Sequence, residues 1–106
     1  MTTAEFNLLP LGDARLIGLE WGDDGDVRLS LWPAGTESDK LIVLLCRWST
    51  DVRINLDFGN LSGPPLLWEA HLAVLETKRW RLVLDFGGSP SGAIELECNG
   101  VELIRG

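Results

Sequence analysis

Alternation of apolar and polar residues with a period of two dominates this sequence. In one segment the apolar set is Val52, Ile54, Leu56 and Phe58, and the polar set is Asp51, Arg53, Asn55 and Asp57. Shorter alternating segments begin at Ile17, Val27, Trp80, Ile94 and Val101. Successive side chains of a β-strand point to opposite faces of a sheet, so this pattern predicts strands with one buried and one solvated face.

Turn-forming residues separate these segments. Residues 22–26 contain the Asp24-Gly25 pair and predict a hairpin, and Asn99-Gly100 predicts a second, two-residue hairpin. With 106 residues, the chain has the length of one domain, residues 1–106. We therefore predict an all-β fold with about eight short antiparallel strands, arranged as a two-layer sandwich or a flattened barrel.

Residues 66–77 fit two secondary structures. Their composition favours a helix, and Trp68, Leu72 and Leu75 would share one helical face. Leu72 also belongs to a period-two set with Leu66, Trp68, Ala70 and Val74. We predict a strand here, with a short helix over 66–77 as the alternative.

Residues 41–46 differ from the other segments because they are apolar without interruption. A strand of this kind is either covered on both faces by its own chain or shared with a partner chain. The second arrangement would make the protein a homodimer with a structural role.

Charge and hydropathy exclude several functions. The net charge of −7 argues against binding to nucleic acids or anionic membranes. The longest apolar run, 41–46, is too short to span a bilayer, and the first residues lack the pattern of a secretory signal. We therefore expect a cytoplasmic protein in which Cys46 and Cys98, the only cysteines, are buried thiols rather than a disulfide.

Four residues are candidates for a binding surface. Glu95 and Glu97 share one strand face, and Glu102 would lie opposite them across the Asn99-Gly100 hairpin. Such an acidic patch is either simply solvated or neutralised by a cationic partner. Trp32 falls on the polar side of its strand. Tryptophan is enriched at the centres of protein interfaces, but it also serves as a large filler at the corners of sandwiches. Trp32 is the aromatic residue that we predict to contact a partner.

The sequence offers little material for catalysis or metal binding. His71 is the only histidine, which excludes motifs with two histidines. A nucleophilic pair of His71 with Cys46 or Cys98 would need a partly exposed thiol, whereas both cysteines occur in apolar alternating segments. We therefore predict no catalytic residue, no metal site and no cofactor.

The order of these signals resembles a group of small all-β bacterial proteins. The resemblance runs from residues 11–17 (LGDARLI) through residues 80–86 (WRLVLDF) to residues 92–98 (GAIELEC) and a last short strand. Members of the group begin with a His-Asp-Ala-like turn, and some are classed as immunity proteins of polymorphic toxin systems. Gly12 stands where the group usually has His, so a role for that His does not carry over.

Together these features predict a non-enzymatic, acidic protein-binding module. The resemblance implies an immunity-type protein whose partner is a toxin, and the negative charge suits a basic toxin domain. The alternatives are the homodimeric structural protein and a binder of a small molecule inside the sandwich.

Overall fold

The computed structural model describes residues 1–34, 41–56, 66–87 and 92–105, the last without the side chain of Arg105. These residues form a short helix, α1 (Thr3–Asn7), followed by strands in the order β1 (Arg15–Trp21), β2 (Val27–Trp32), β3 (Ile42–Arg47), β4 (Thr50–Asn55), β5 (Leu67–Val74), β6 (Trp80–Phe86), β7 (Gly92–Cys98) and β8 (Gly100–Arg105). Within them no helix has the length and apolar character needed to cross a membrane. Asp57 and Phe58, which the sequence predicts in a strand, lie outside the described residues.

The strands form two four-stranded antiparallel sheets, which confirms the predicted all-β sandwich. The first sheet has the order β1-β2-β3-β8, and the second has the order β4-β7-β6-β5. The inward-facing side chains of both sheets pack into one cluster of buried residues, with Leu29 and Leu44 from the first sheet and Leu84 and Leu96 from the second. Burial of this apolar surface is the main favourable contribution to folding.

Of the two predicted hairpins, one forms and the other does not. The β1–β2 hairpin forms as predicted, and Gly25 adopts a φ of 86° in its turn. The predicted hairpin at Asn99-Gly100 is wrong, because β7 pairs with strands of the second sheet and β8 pairs with β3 of the first. Neither Asn99 nor Gly100 has the positive φ that a two-residue hairpin turn requires. The pair instead carries the chain from one sheet to the other.

Residues 66–77 contain strand β5, so the alternative of a short helix at 66–77 is wrong. Leu67, Leu72 and their neighbours pair antiparallel with β6 from Leu67↔Phe86 to Val74↔Trp80. Burial of Leu67 and Leu72 against the core outweighs the helix-favouring composition of the segment. The turn after β5 includes Lys78 with a φ of 67°.

Strand β1 departs from simple alternation. Its register with β2 shifts between Leu16 and Gly18, so Leu16 and Leu19 both pair with buried residues of β2 while Ile17 is displaced and exposed. Alternation from Ile17 predicts that Ile17 and Trp21 are buried, and this prediction is wrong. Trp21 pairs with the buried Val27, but at the end of this outermost strand its side chain stays 54% exposed.

The side chain of Arg79 hydrogen-bonds to both segments that connect the two sheets. The half-buried Arg79 precedes β6, and its Nη1 donates to Oδ1 of Asn99 at 2.7 Å. Its Nη2 donates to the carbonyl of Trp48 and to Oγ1 of Thr50, both at 2.8 Å. Trp48 lies between β3 and β4, and Asn99 lies between β7 and β8. Arg79 thus links both sheet-to-sheet connections.

Cys46 and Cys98 are free thiols in the core, one from each sheet. The hydrogen bond that Cys46 donates to Cys98, together with burial, raises the pKa of Cys46. Because the thiolate is the reactive form, the raised pKa and the burial of Cys46 both slow its reaction. The same hydrogen bond lowers the pKa of Cys98, so the protection of Cys98 depends on its burial.

We expect the native protein to react with a thiol reagent far more slowly than the unfolded protein does. The measurement is the time course of thiol modification at neutral pH, with and without denaturant. Both thiols should react promptly in denaturant, because unfolding exposes Cys46 and Cys98. Equally rapid modification of the native protein would contradict their burial.

Candidate functional site

The four predicted binding residues lie on two different faces of the sandwich. Trp32 and Glu102 belong to the first sheet, and Glu95 and Glu97 belong to the second. The prediction that Glu102 lies beside Glu95 and Glu97 is therefore wrong. Its basis was the Asn99-Gly100 hairpin, and the chain changes sheets at that point.

Glu95 and Glu97 point outward from β7, since Ile94, Leu96 and Cys98 between and beside them are buried. Their neighbours across the ladders carry the opposite charge: Glu95 pairs with Arg53 of β4, and Glu97 pairs with Arg81 of β6. Opposite charges in register on one face stabilise a sheet modestly. This face is a mixture of both signs rather than an acidic patch.

Glu102 is an ion-pair partner within the chain. Its carboxylate accepts two hydrogen bonds from Arg47, at 3.2 Å from Nε and 3.1 Å from Nη2. These contacts raise the pKa of the Arg47 guanidinium. Nη1 of Arg47 also lies 3.7 Å from Oδ2 of the buried Asp26. A partner that engaged Glu102 would therefore meet an existing arginine–carboxylate pair.

Asp26 makes hydrogen bonds that hold the acidic β1–β2 hairpin and the turn after β3. Its Oδ1 accepts a hydrogen bond from the backbone N–H of Trp48 at 3.0 Å, and its own N–H donates to Oδ1 of Asp24 at 3.2 Å. The second contact lowers the pKa of Asp24. Trp48 has a φ of 51°, so Asp26 holds the turn in which that strained residue lies.

The outer face of the first sheet carries an apolar band, which we call the Trp32 face and define as Trp32, Val43 and Ile104. Val43 lies between Ser30 of β2 and Ile104 of β8 in the register, on the side opposite the buried Leu44. Val43 and Ile104 are half-buried, and Trp32 is 42% exposed. Trp32 is exposed as predicted.

Two charged side chains and a buried leucine border the Trp32 face along the next row of the sheet. Arg28, Leu45 and Glu102 occupy matching positions on β2, β3 and β8. Leu45 is buried but stands outside the core cluster, and with Glu20 and Arg28 it lines a shallow cleft of about 220 Å³. The uninterrupted apolar character of 41–46 thus has two causes: one side of β3 fills the core, and the other forms part of this outer surface.

Three other tryptophans are more exposed than Trp32. Trp21 is 54% exposed, Trp48 is 65% exposed and Trp68 is 66% exposed. Trp68 lies next to a register irregularity in β5, and its ring packs against Gly87, where a Cβ would lie 2.6 Å from the ring carbon Cε3. In the sequence Trp48 and Trp68 flank loops, as Trp32 does, so this position does not distinguish them from Trp32.

His71 joins two carboxylates in a cluster that the sequence analysis missed. Among the described residues, His71, Glu69 and Asp85 bring one ligand atom each to within 4.8 Å of the others. Nε2 of His71 lies 3.3 Å from Oε2 of Glu69. The spacing of Glu69 and His71, two apart in a strand, was visible in the sequence, but the pairing of β5 with β6 was needed to add Asp85.

The pairing of His71 with a cysteine as a nucleophilic couple does not form. His71 is exposed on the outer face of the second sheet, whereas both thiols are in the core between the sheets.

An apolar groove lies between the sheets, where β1 and β4 approach each other. Its lining includes Ile17 and Leu19 of β1, Ile54 and Leu56 on the β4 side, and Ile94 of β7, around a volume of about 290 Å³. Volumes of about 300–1,000 Å³ are typical of small-molecule sites, which also place polar groups among apolar walls. The lining of this groove is apolar, without the His71 or glutamate side chains that would favour a polar ligand.

Comparison with known proteins gives no further assignment. None of the protein-family models matches the chain, and neither the curated proteins nor the solved structures give a significant match.

Proposed function

We propose that this chain is a non-enzymatic protein-binding module that contacts its partner through the Trp32 face. The observation that carries the proposal is an exposed tryptophan on the same outer face as half-buried Val43 and Ile104, where the β2–β3 and β3–β8 ladders are regular. Arg28 and Glu102 stand in the next row of that face. An apolar centre with a polar rim is the usual anatomy of a protein interface. Tryptophan supplies more interface energy than most residue types.

The partner that fits best is a basic protein. The chain carries a net charge of −7. Positive charge on a partner would speed the association of the two proteins and would favour that partner over acidic proteins. The finer proposal is an immunity-type protein that neutralises a basic toxin domain in the cytoplasm. The resemblance to small all-β bacterial proteins and the acidic composition support it. Glu95 and Glu97 then act by long-range attraction, since arginines already neighbour them in the sheet.

The test is capture of the partner from a lysate of the source cells by the immobilised chain, at low and high salt. The variants are Trp32→Ala and Val43→Asp, and the matched control is Trp68→Ala, which removes an equally large exposed ring from the other sheet. Truncation of an interface tryptophan that carries binding energy costs at least about 2 kcal/mol, or roughly thirtyfold in affinity. We expect a basic partner that wild type and Trp68→Ala retain and that both Trp32-face variants lose.

Circular dichroism and thermal unfolding verify that each variant is folded before capture is compared. Retention of the partner by both folded Trp32-face variants would contradict the proposal. Loss of the partner only in Trp68→Ala would place the contact on the second sheet. If salt leaves the amount of captured protein unchanged, electrostatic attraction does not contribute and the basic-partner assignment fails.

Self-association is the second candidate, because β3 is apolar on both sides and its outer side belongs to the Trp32 face. A symmetric dimer would bury this face against its own copy. Sedimentation over a wide concentration range separates the two candidates. A mass that rises toward twice 11.7 kDa in wild type but not in Val43→Asp supports the dimer. A constant monomer mass leaves the face to a different protein.

A further inference from the structure

Strands β5 and β6 bring three metal-binding side chains to one place on the outer face of the second sheet. Glu69 lies directly opposite Asp85 in the ladder, and His71 is two residues further along β5, opposite Val83. Side chains two apart in a strand point to the same face. The inward positions between them, Ala70 and Leu84, belong to or pack against the core cluster. The sheet therefore fixes the backbone under all three side chains.

The distances suit a tetrahedral ion. Ligand atoms of a zinc ion with bonds of about 2.0–2.2 Å lie about 3.3–3.6 Å from one another. Nε2 of His71 and Oε2 of Glu69 are already 3.3 Å apart. All three ligand atoms lie within 4.8 Å of one another. Rotation of the Asp85 carboxylate and of the exposed Glu69 and His71 side chains would shorten these distances to those around a bound ion. The side chains of His71 and Glu69 are 61% and 57% exposed, which leaves them free to make that adjustment.

Electrostatics provides an independent argument. Like charges directly opposite each other in an antiparallel ladder repel and destabilise the pair. Glu69 and Asp85 occupy such positions. A divalent cation between the two carboxylates would replace this repulsion by attraction to both.

We propose that Glu69, His71 and Asp85 bind one Zn²⁺ ion. One imidazole nitrogen and two carboxylate oxygens match the mixed ligands that zinc accepts, whereas Ca²⁺ and Mg²⁺ prefer oxygen ligands alone. Three protein ligands leave the fourth tetrahedral position to water or to an atom of a docking partner. The site is on the second sheet and does not depend on the binding surface proposed for the first.

The test is calorimetric titration of ZnCl₂ into protein previously dialysed against a chelator. The variants are His71→Ala and Asp85→Asn, and the control is Glu97→Gln, which removes a carboxylate from the same outer face on the neighbouring strand β7, opposite Arg81 rather than Asp85. We expect one zinc per chain in wild type and in Glu97→Gln. Loss of a residue that only hydrogen-bonds to a metal ligand weakens metal binding about 10–100-fold. Removal of a ligand itself should therefore weaken zinc binding by at least about tenfold.

Two spectroscopic readouts identify the ligands. Because His71 is the only histidine, its ring signals in an NMR spectrum are unambiguous, and they should shift on addition of zinc. Co²⁺ in the site should give visible ligand-field bands without the near-ultraviolet charge-transfer band of a thiolate ligand.

Each contrary result overturns the proposal. Zinc affinity that is unchanged in His71→Ala, or that falls equally in Glu97→Gln, would show binding elsewhere or nonspecific attraction to acidic residues. A thiolate charge-transfer band would assign the metal to Cys46 or Cys98. Absence of binding up to millimolar zinc would show that the three side chains form no site.

Discussion

Replacement of Phe6 by alanine should lower the free energy of unfolding by about 3–5 kcal/mol, the usual cost of deleting a buried phenylalanine ring. Phe6 is only 2% exposed and belongs to the core cluster, although it comes from the five-residue helix α1. So short a helix has little stability of its own. The ring of Phe6 therefore both fills the core and holds α1 against the sandwich, and equilibrium unfolding in urea measures its contribution.

Leu8→Ala is the matched control for Phe6→Ala. Leu8 follows directly after α1 but is 84% exposed, so its truncation removes an apolar side chain of similar size without opening a cavity. We expect a change within about 0.5 kcal/mol, as for most surface substitutions. Equal destabilisation by the two variants would mean that Phe6 acts through local helix stability rather than through burial.

Arg79→Ala should be the second most destabilising change, with a loss of about 2–3 kcal/mol. Hydrogen bonds from a charged group contribute about 1.5–3 kcal/mol each, and solvent screening reduces the total for a half-buried side chain. The guanidinium holds Asn99, Thr50 and the carbonyl of Trp48 together. Its removal releases both connections through which the chain passes from one sheet to the other.

The control for Arg79→Ala is Arg81→Ala, two residues further along β6. Arg81 is exposed and pairs in register with Glu97, so its loss should cost at most about 1 kcal/mol. Thermal unfolding of the three proteins provides the comparison. An Arg79→Ala variant as stable as Arg81→Ala would show that the hydrogen bonds of Arg79 to the connections between the sheets do not stabilise the fold.

The alternation of apolar and polar residues correctly predicted which residues are buried in the strands whose pairing is regular. In β2, Val27, Leu29 and Leu31 are buried as their spacing indicates, and β7 follows the same rule. Alternation failed at the start of β1, because the irregularity between Leu16 and Gly18 turns Leu16 inward and leaves Ile17 exposed, and it leaves no mark in the sequence. A bulge depends on the partner strand, which local patterning does not specify.

The candidate site was harder to predict than the fold for a related reason. Trp32 was identified because its exposure depends only on its own strand. The position of Glu102 depends on which sheet β8 joins, and the Asn99-Gly100 pair favoured the wrong answer. The cluster of Glu69, His71 and Asp85 likewise requires the register between two strands. Long-range pairing, rather than residue type, decides which side chains meet.

The outermost strands of the two sheets have a consequence for aggregation. An unpaired strand edge is a template on which another molecule can add a strand, and a local break in the ladder blocks that addition. Among the strands of the described residues, register irregularities occur in β1, β4 and β5, which are three of the four outermost strands. The ladder between β8 and β3 is regular from Gly100 to Arg105. Molecules that associate edge to edge would therefore join through β8. A polymer needs two open edges on each molecule, and the described strands offer one regular edge.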